Sequence, residues 1–341
     1  MKRITKLATY DMVALAMGEQ VRKNFKSQGK IPKYFTGIGD GMASRPVFLL
    51  TFHDGEKLVV KAEGNRQGFN NGAIESLGAG GDIMGTISAD AKSEPLDAGE
   101  RLELLNIAQE KRSLDHYYLL DLILAMMGPT PVFIWHKMEF IDRLKDLEKA
   151  VENNKGGKII GKLMQDGAME TLGKILAADM FLGNEDRFNR AGKIVNPGNI
   201  IFRKTANKLY VPIGLDFYEA MGECSNISKP LVQHQAWTGD VLKDKSTINI
   251  FGAACIRSLN EYCGTVENNI EPLRSPHTRR LIDGIVAGKD EILRHLAPQY
   301  GQLSQGVKDR MQELGWRPWG AAAANSNRGA FRMGGRRGVN K

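Results

Sequence analysis

Three oxygen-bearing side chains punctuate residues 179–217, DMFLGNEDRFNRAGKIVNPGNIIFRKTANKLYVPIGLDF, and each stands at one end of an expected regular element. Asp186 lies in the polar turn Gly183-Asn184-Glu185-Asp186-Arg187, which follows the apolar positions Ile175, Leu176, Met180, Phe181 and Leu182. Asn199 directly precedes a β run, Ile200-Ile201-Phe202, and Asp216 ends a second run from Leu209 to Leu215. Carboxylate and amide oxygens are hard ligands. Two acids and one amide held at element ends suit a site for Mg²⁺ and a triphosphate.

Residues of that kind need a second wall, and residues 34–62 have the pattern to make one. Lys33-Tyr34-Phe35-Thr36 leads into a loop carrying Gly37, Gly39 and Gly41, and Pro46 to Phe52 reads as the next strand. Asp54-Gly55 is a hairpin signal. The third strand, Lys57-Leu58-Val59-Val60-Lys61-Ala62, brings Lys61 20 positions after Gly41. Each feature alone is common: glycine loops join hairpins, lysines decorate edge strands, and Asp-Arg pairs cap helices. Their order along one chain is not.

That order resembles the protein-kinase-like superfamily, in particular the atypical branch of actin-fragmin kinase and the phosphoinositide kinases. The resemblance spans about residues 34–220 and is tight only over 179–217. It implies an α+β, bilobal protein-kinase-like fold, with a small antiparallel-sheet lobe over 34–135 and a large, mainly helical lobe over 136–319. An N-terminal helical extension (1–33) and a disordered Arg/Gly-rich tail (320–341) complete the expected organisation. The implied cofactors are ATP and Mg²⁺. Gly37, Gly39 and Gly41 would close over the phosphates and Lys61 would reach them. Asp186 would orient the acceptor hydroxyl and take its proton, while Arg187 would neutralise nearby charge and hold the turn. Asn199 and Asp216 would ligate the metal. The glutamate that pairs with Lys61 is Glu75 or Glu110. Two departures matter. Asp186 and Asn199 stand 13 positions apart against about five in ordinary protein kinases, so Asn189 competes for the amide role. Tyr218 also replaces the glycine expected after Asp216-Phe217, which puts in doubt any switching of that segment but not metal binding.

Around these motifs the chain is that of an ordinary globular protein: 341 residues, 42% hydrophobic and 25% charged, with no apolar run near the ~18 residues of a membrane span. Asp11 breaks the N-terminal apolar stretch, which favours an amphipathic helix over a signal peptide. Cys224, Cys255 and Cys263 lack paired spacing and read as reduced thiols, so the expected setting is cytosolic, its own or that of a host cell. The net charge is +8, but Arg328, Arg332, Arg336, Arg337 and Lys341 supply +5 of it from the tail. Helices are expected near 98–111, 114–127, 139–154 and 167–182, and through most of 230–316. Residues 64–95 resist assignment. Val132 to Trp135 reads as the strand connecting the lobes, with His136 solvent-facing at its exit, and Trp316 and Trp319 are expected to pack the last helix on the body.

The leading functional expectation is a protein serine/threonine kinase acting on a protein substrate, cytoskeletal or of a host cell. A lipid or small-molecule kinase on the same scaffold is the alternative, weakened because residues 218–232 hold one lysine and two glutamates. A non-catalytic ATP-binding scaffold conflicts with the complete set Lys61, Asp186, Asn199 and Asp216. The basic tail, with Phe331 as its sole aromatic, offers an accessory anchor for an anionic partner rather than a nucleic-acid site.

Overall fold

A computed structural model describes residues 25–37, 47–64, 81–88, 92–111, 133–142, 144–165, 167–215, 241–303 and 305–317. Gly39, Gly41, Glu75, Asp216, the N-terminal helix, the helix expected at 114–127, Trp319 and the tail lie outside the described residues, as does the side chain of Glu110.

The first part of the molecule is an antiparallel sheet in the order β1-β2-β3-β5-β4. Its strands are β1 (Pro32–Gly37), β2 (Val47–Phe52), β3 (Lys57–Gly64), β4 (Ser93–Pro95) and β5 (Phe133–Glu139). Gly55 turns the β2–β3 hairpin at φ +89, and the Asp54 carboxylate accepts from the Glu56 amide at 2.9 Å. Alternation along β2 buries Phe48, Leu50 and Phe52 with Phe35, Val60 and Trp135. Helix α1 (Ala98–Lys111) covers this face and is anchored by Glu100, which is 1% exposed. The Glu100 carboxylate accepts from Lys137 Nζ at 2.5 Å and from Gln28 Nε2 at 2.9 Å.

The other face of the sheet turns toward the helices. Cross-strand partners share a face, and β3 and β5 pair Val59 with Met138 and Lys61 with His136. Met138 packs against the helical core, so Lys61 and His136 lie on that same side.

The second part is mainly helical: α2 (Leu147–Glu152), α3 (Gly156–Leu163), α4 (Ala168–Leu182), α5 (Lys245–Tyr262), α6 (Ser275–Leu296) and α7 (Gln305–Glu313). A small sheet joins β6 (Lys145–Asp146), β7 (Ile201–Lys204) and β8 (Tyr210–Ile213) in that order. Helix α4 is apolar nearly all round, as a central core helix must be. It crosses α6 at backbone contact: a Cβ on Gly173 would stand 2.2 Å from the Leu281 carbonyl, and one on Gly284 2.2 Å from that of Glu170. A helical segment at 81–87 sends Ile83 and Met84 into this core and is tethered to α6 by Asp82 and His295, 2.6 Å apart. Trp316 packs on Tyr300 with the rings tilted by 37° and their centroids 4.5 Å apart. The α+β architecture, a small antiparallel sheet beside a helical part, is consistent with the expected kinase-like fold.

Two local expectations are corrected. Residues 139–154 are not one polar helix: β5 runs on through Glu139, because Met138 gains burial and Leu58 pairs with Glu139. Helix α2 starts only where the Asp146 side chain accepts from the Lys149 amide at 2.7 Å. His136 is likewise 2% exposed rather than solvent-facing, since β5 lies between β3 and β4.

Candidate active site

The turn after α4 is built from its own backbone outward. Gly183 takes φ +76 and ends the helix by donating to the Asp179 and Met180 carbonyls. Asn184 then folds back, donating its amide N–H to the Asp179 carbonyl at 2.7 Å and its side-chain Nδ2 to the Asp179 carboxylate at 2.8 Å. The Asn184 side-chain oxygen accepts from the Asp186 amide at 3.2 Å.

Arg187, only 1% exposed, points inward and braces three segments at once. One guanidinium nitrogen pairs with the Asp179 carboxylate, Nε donates to the Asn199 carbonyl at 3.0 Å, and another nitrogen donates to the Leu215 carbonyl. A guanidinium can do this because its five donors form a rigid fork. Burial pushes the Asp179 carboxyl above the usual carboxylate range, while Arg187 and Asn184 hold its ionised form. Asp179 is the residue that reading by motif missed. Its signal was a carboxylate in the apolar second half of a helix, a position an acid takes almost only when paired.

Across the turn, the Asn199 side-chain Nδ2 donates to the Asp186 carboxylate. Asn196 Nδ2 approaches the other Asp186 oxygen at 3.5 Å, and its own Oδ1 accepts from the Gly198 amide at 3.1 Å, starting the short 3₁₀ turn Pro197–Asn199. The 13-position gap between Asp186 and Asn199 is closed by a small hairpin. Phe188 bridges to Ile194, and the Val195 amide donates to the Arg187 carbonyl at 3.0 Å. Asn189 belongs to that hairpin: its Oδ1 accepts from the Ala191 and Lys193 amides at 3.0 and 3.1 Å. The hairpin rests on α5, with the Ile194 amide donating to Ser258 Oγ at 3.0 Å.

Asp186, Asn199 and the carbonyl before Asp216 are thus gathered by one arginine. Lys61 stands on the helix-facing side of β3 at 8% exposure. Gly37 closes β1 opposite Phe48. With Nδ2 turned to Asp186, Asn199 keeps a hard amide oxygen of the kind Mg²⁺ takes, while its expected co-ligand Asp216 lies outside the described residues.

No protein-family model matches the chain, and no curated protein does. Among solved structures, the Golgi casein kinase is similar at 15% identity over 78% of this chain and 72% of that one, with a TM-score of 0.32. A likeness of that size adds no weight to the assignment of the site.

Proposed function

We propose that this protein is an ATP- and Mg²⁺-dependent phosphotransferase whose acceptor is a serine or threonine hydroxyl of a protein. The observation that carries this reading is the side-chain contact between Asp186 and Asn199, with both segments clamped by the buried Arg187. A carboxylate placed beside an amide ligand can serve a metal-bound phosphate and an acceptor together.

In this mechanism Lys61 holds the triphosphate as a point charge from the sheet side. Asn199 and Asp216 would hold Mg²⁺, which would neutralise charge on the phosphates when bound. Asp186 orients the acceptor hydroxyl toward the γ-phosphorus. The hydroxyl oxygen forms the new P–O bond, the bond to the β–γ bridging oxygen breaks, ADP leaves, and Asp186 takes the hydroxyl proton late. Arg187 touches none of the reacting atoms in this scheme; it positions the groups that do. A protein acceptor is preferred to a lipid because residues 218–232, following Asp216, hold one lysine and two glutamates. Among the described residues no helix is long and apolar enough to cross a membrane. The proposed setting is a cytosol, its own or a host's.

Incubation with γ-labelled ATP and Mg²⁺, alone and with cell lysate, tests the reading. Label is expected in protein. Label in lipid would redirect the acceptor assignment, and an absence of both transfer and ATP hydrolysis would overturn the function.

A further inference from the structure

A second charged site lies in the helical part, at the far end of the β7–β8 hairpin from Asn199. Lys145 on β6 and Lys162 on α3 both stand over the Tyr210 ring, their Nζ atoms 5.9 and 3.7 Å from its centroid. Lys204 on β7 is the cross-strand partner of Tyr210. Lys158 precedes Lys162 by one helical turn on α3, so both project from one face. Three elements, β6, α3 and β7, thus bring four ammonium groups around one aromatic ring on β8.

Among the described residues none of the four makes an ion pair. Lys162 is 9% exposed, while Lys145, Lys158 and Lys204 are exposed around it. Burial, and then the charges of Lys145, Lys158 and Lys204, pull Lys162 down to about 8. Like charges so arranged repel one another, and a bound anion would relieve them.

We propose that Lys145, Lys158, Lys162 and Lys204 form a binding site for a phosphate group, separate from the nucleotide site. A phosphomonoester carries close to two negative charges and three acceptor oxygens, which suits several lysines converging on one point better than a single carboxylate does. The compactness of the cluster also argues against single-stranded nucleic acid. Such ligands run along extended grooves and stack bases on open aromatic faces, whereas the Tyr210 ring already carries Lys162. The ligand is a phosphoserine-bearing segment or a small phosphorylated molecule. The two share the chemistry, and binding measurements separate them.

The test is titration calorimetry of the whole chain, without Mg²⁺ or nucleotide, at fixed ionic strength. The probes are inorganic phosphate, a phosphoserine peptide and its unphosphorylated twin. Phosphate and phosphopeptide should bind, and the unphosphorylated peptide should not. A phosphopeptide tighter than phosphate identifies a protein source, and equal affinities identify a small molecule. The surface double variant Lys145→Gln/Lys204→Gln, checked for an unchanged melting temperature, should weaken binding roughly tenfold or more, as loss of charge-assisted contacts requires. Lys162→Met should weaken it as well. Lys61→Ala should leave it unchanged, which separates this site from the proposed nucleotide site whatever the outcome there. Absence of phosphate binding, or binding lost in Lys61→Ala and kept in the double variant, would overturn the proposal.

Discussion

Arg187 and Asp179 form an ion pair in which the two side chains are 1% and 2% exposed. Nothing reactive touches it, yet the Asp186 turn, the carbonyl of Asn199 and the carbonyl of Leu215 are all positioned through it. Removing Arg187 strands a buried carboxylate. Arg187→Met is expected to cost about 3–5 kcal/mol near pH 8, the usual penalty for breaking a buried pair. The sign with pH follows from Asp179, whose carboxyl burial already pushes upward. Without its partner it should take up a proton in the folded state before it does so unfolded, so the variant recovers stability as pH falls. Denaturant melts at pH 5 and pH 8 check this; an equal loss at both would remove the explanation.

Asp186 should matter for transfer and little for nucleotide binding. Asp186→Asn keeps the shape and one side of the hydrogen bonding but loses the proton acceptor. Positioned acid–base groups contribute about 10²–10⁴-fold, so label transfer should fall by that range while ATP affinity stays within a few-fold. A wild-type rate in this variant would sink the catalytic assignment.

The two asparagines that competed for the metal role can be separated by their surroundings. Asn189 uses its side-chain oxygen on the Ala191 and Lys193 amides, whereas Asn199 faces Asp186. Asn199→Ala should raise the Mg²⁺ concentration needed for half-maximal transfer, with little change in melting temperature. Asn189→Ala should do the reverse, costing roughly 1 kcal/mol of stability through the lost turn contacts. If the two effects are exchanged, the metal ligand is Asn189.

Lys162 gives the fold an alkaline signature. Its folded value is about 8 against 10.5 for an ordinary lysine. Between those values the unfolded chain holds a proton that the folded chain has released, so this residue adds stability as pH rises through that window. Melting temperatures of wild type and Lys162→Met, followed in parallel from pH 7 to pH 10.5, should therefore diverge in favour of the wild type on the alkaline side. Parallel curves would refute the assignment.

Gly173 and Gly161 predict opposite responses to the same change. A methyl on Gly173 would meet the Leu281 carbonyl at 2.2 Å and the Ile285 nitrogen at 2.8 Å, while one on Gly161 would meet nothing within 4 Å. Gly173→Ala should push α4 and α6 apart and cost about 1–3 kcal/mol. Gly161→Ala, on an exposed helix position, should add about 0.5–1 kcal/mol. Thermal melts of both variants decide it.

Much of the local structure was legible in the residues. Alternation in Val47–Phe52, the Asp54-Gly55 turn and the apolar helix before Gly183 are short-range patterns, and each element formed close to where it was read. What failed was local evidence facing a long-range competitor. His136-Lys137-Met138-Glu139 looks like the polar start of a helix, but pairing with β3 and burial of Met138 extend the strand through it. Sequence spacing likewise left Asn189 and Asn199 open, because it cannot tell how a loop closes. The Phe188–Ile194 bridge turns Asn189 into the loop and returns Asn199 to Asp186. The sequence by itself therefore determined the elements and the residue types able to do chemistry, through period, turn and cap preferences acting over a few residues. Only the tertiary structure decided that Asp179 and Arg187 meet, and that four lysines from three elements gather about Tyr210. The ion pair depends on how the turn after α4 folds back over eight residues, and the lysine cluster on helix and strand packing between distant segments, which neighbouring residues do not encode.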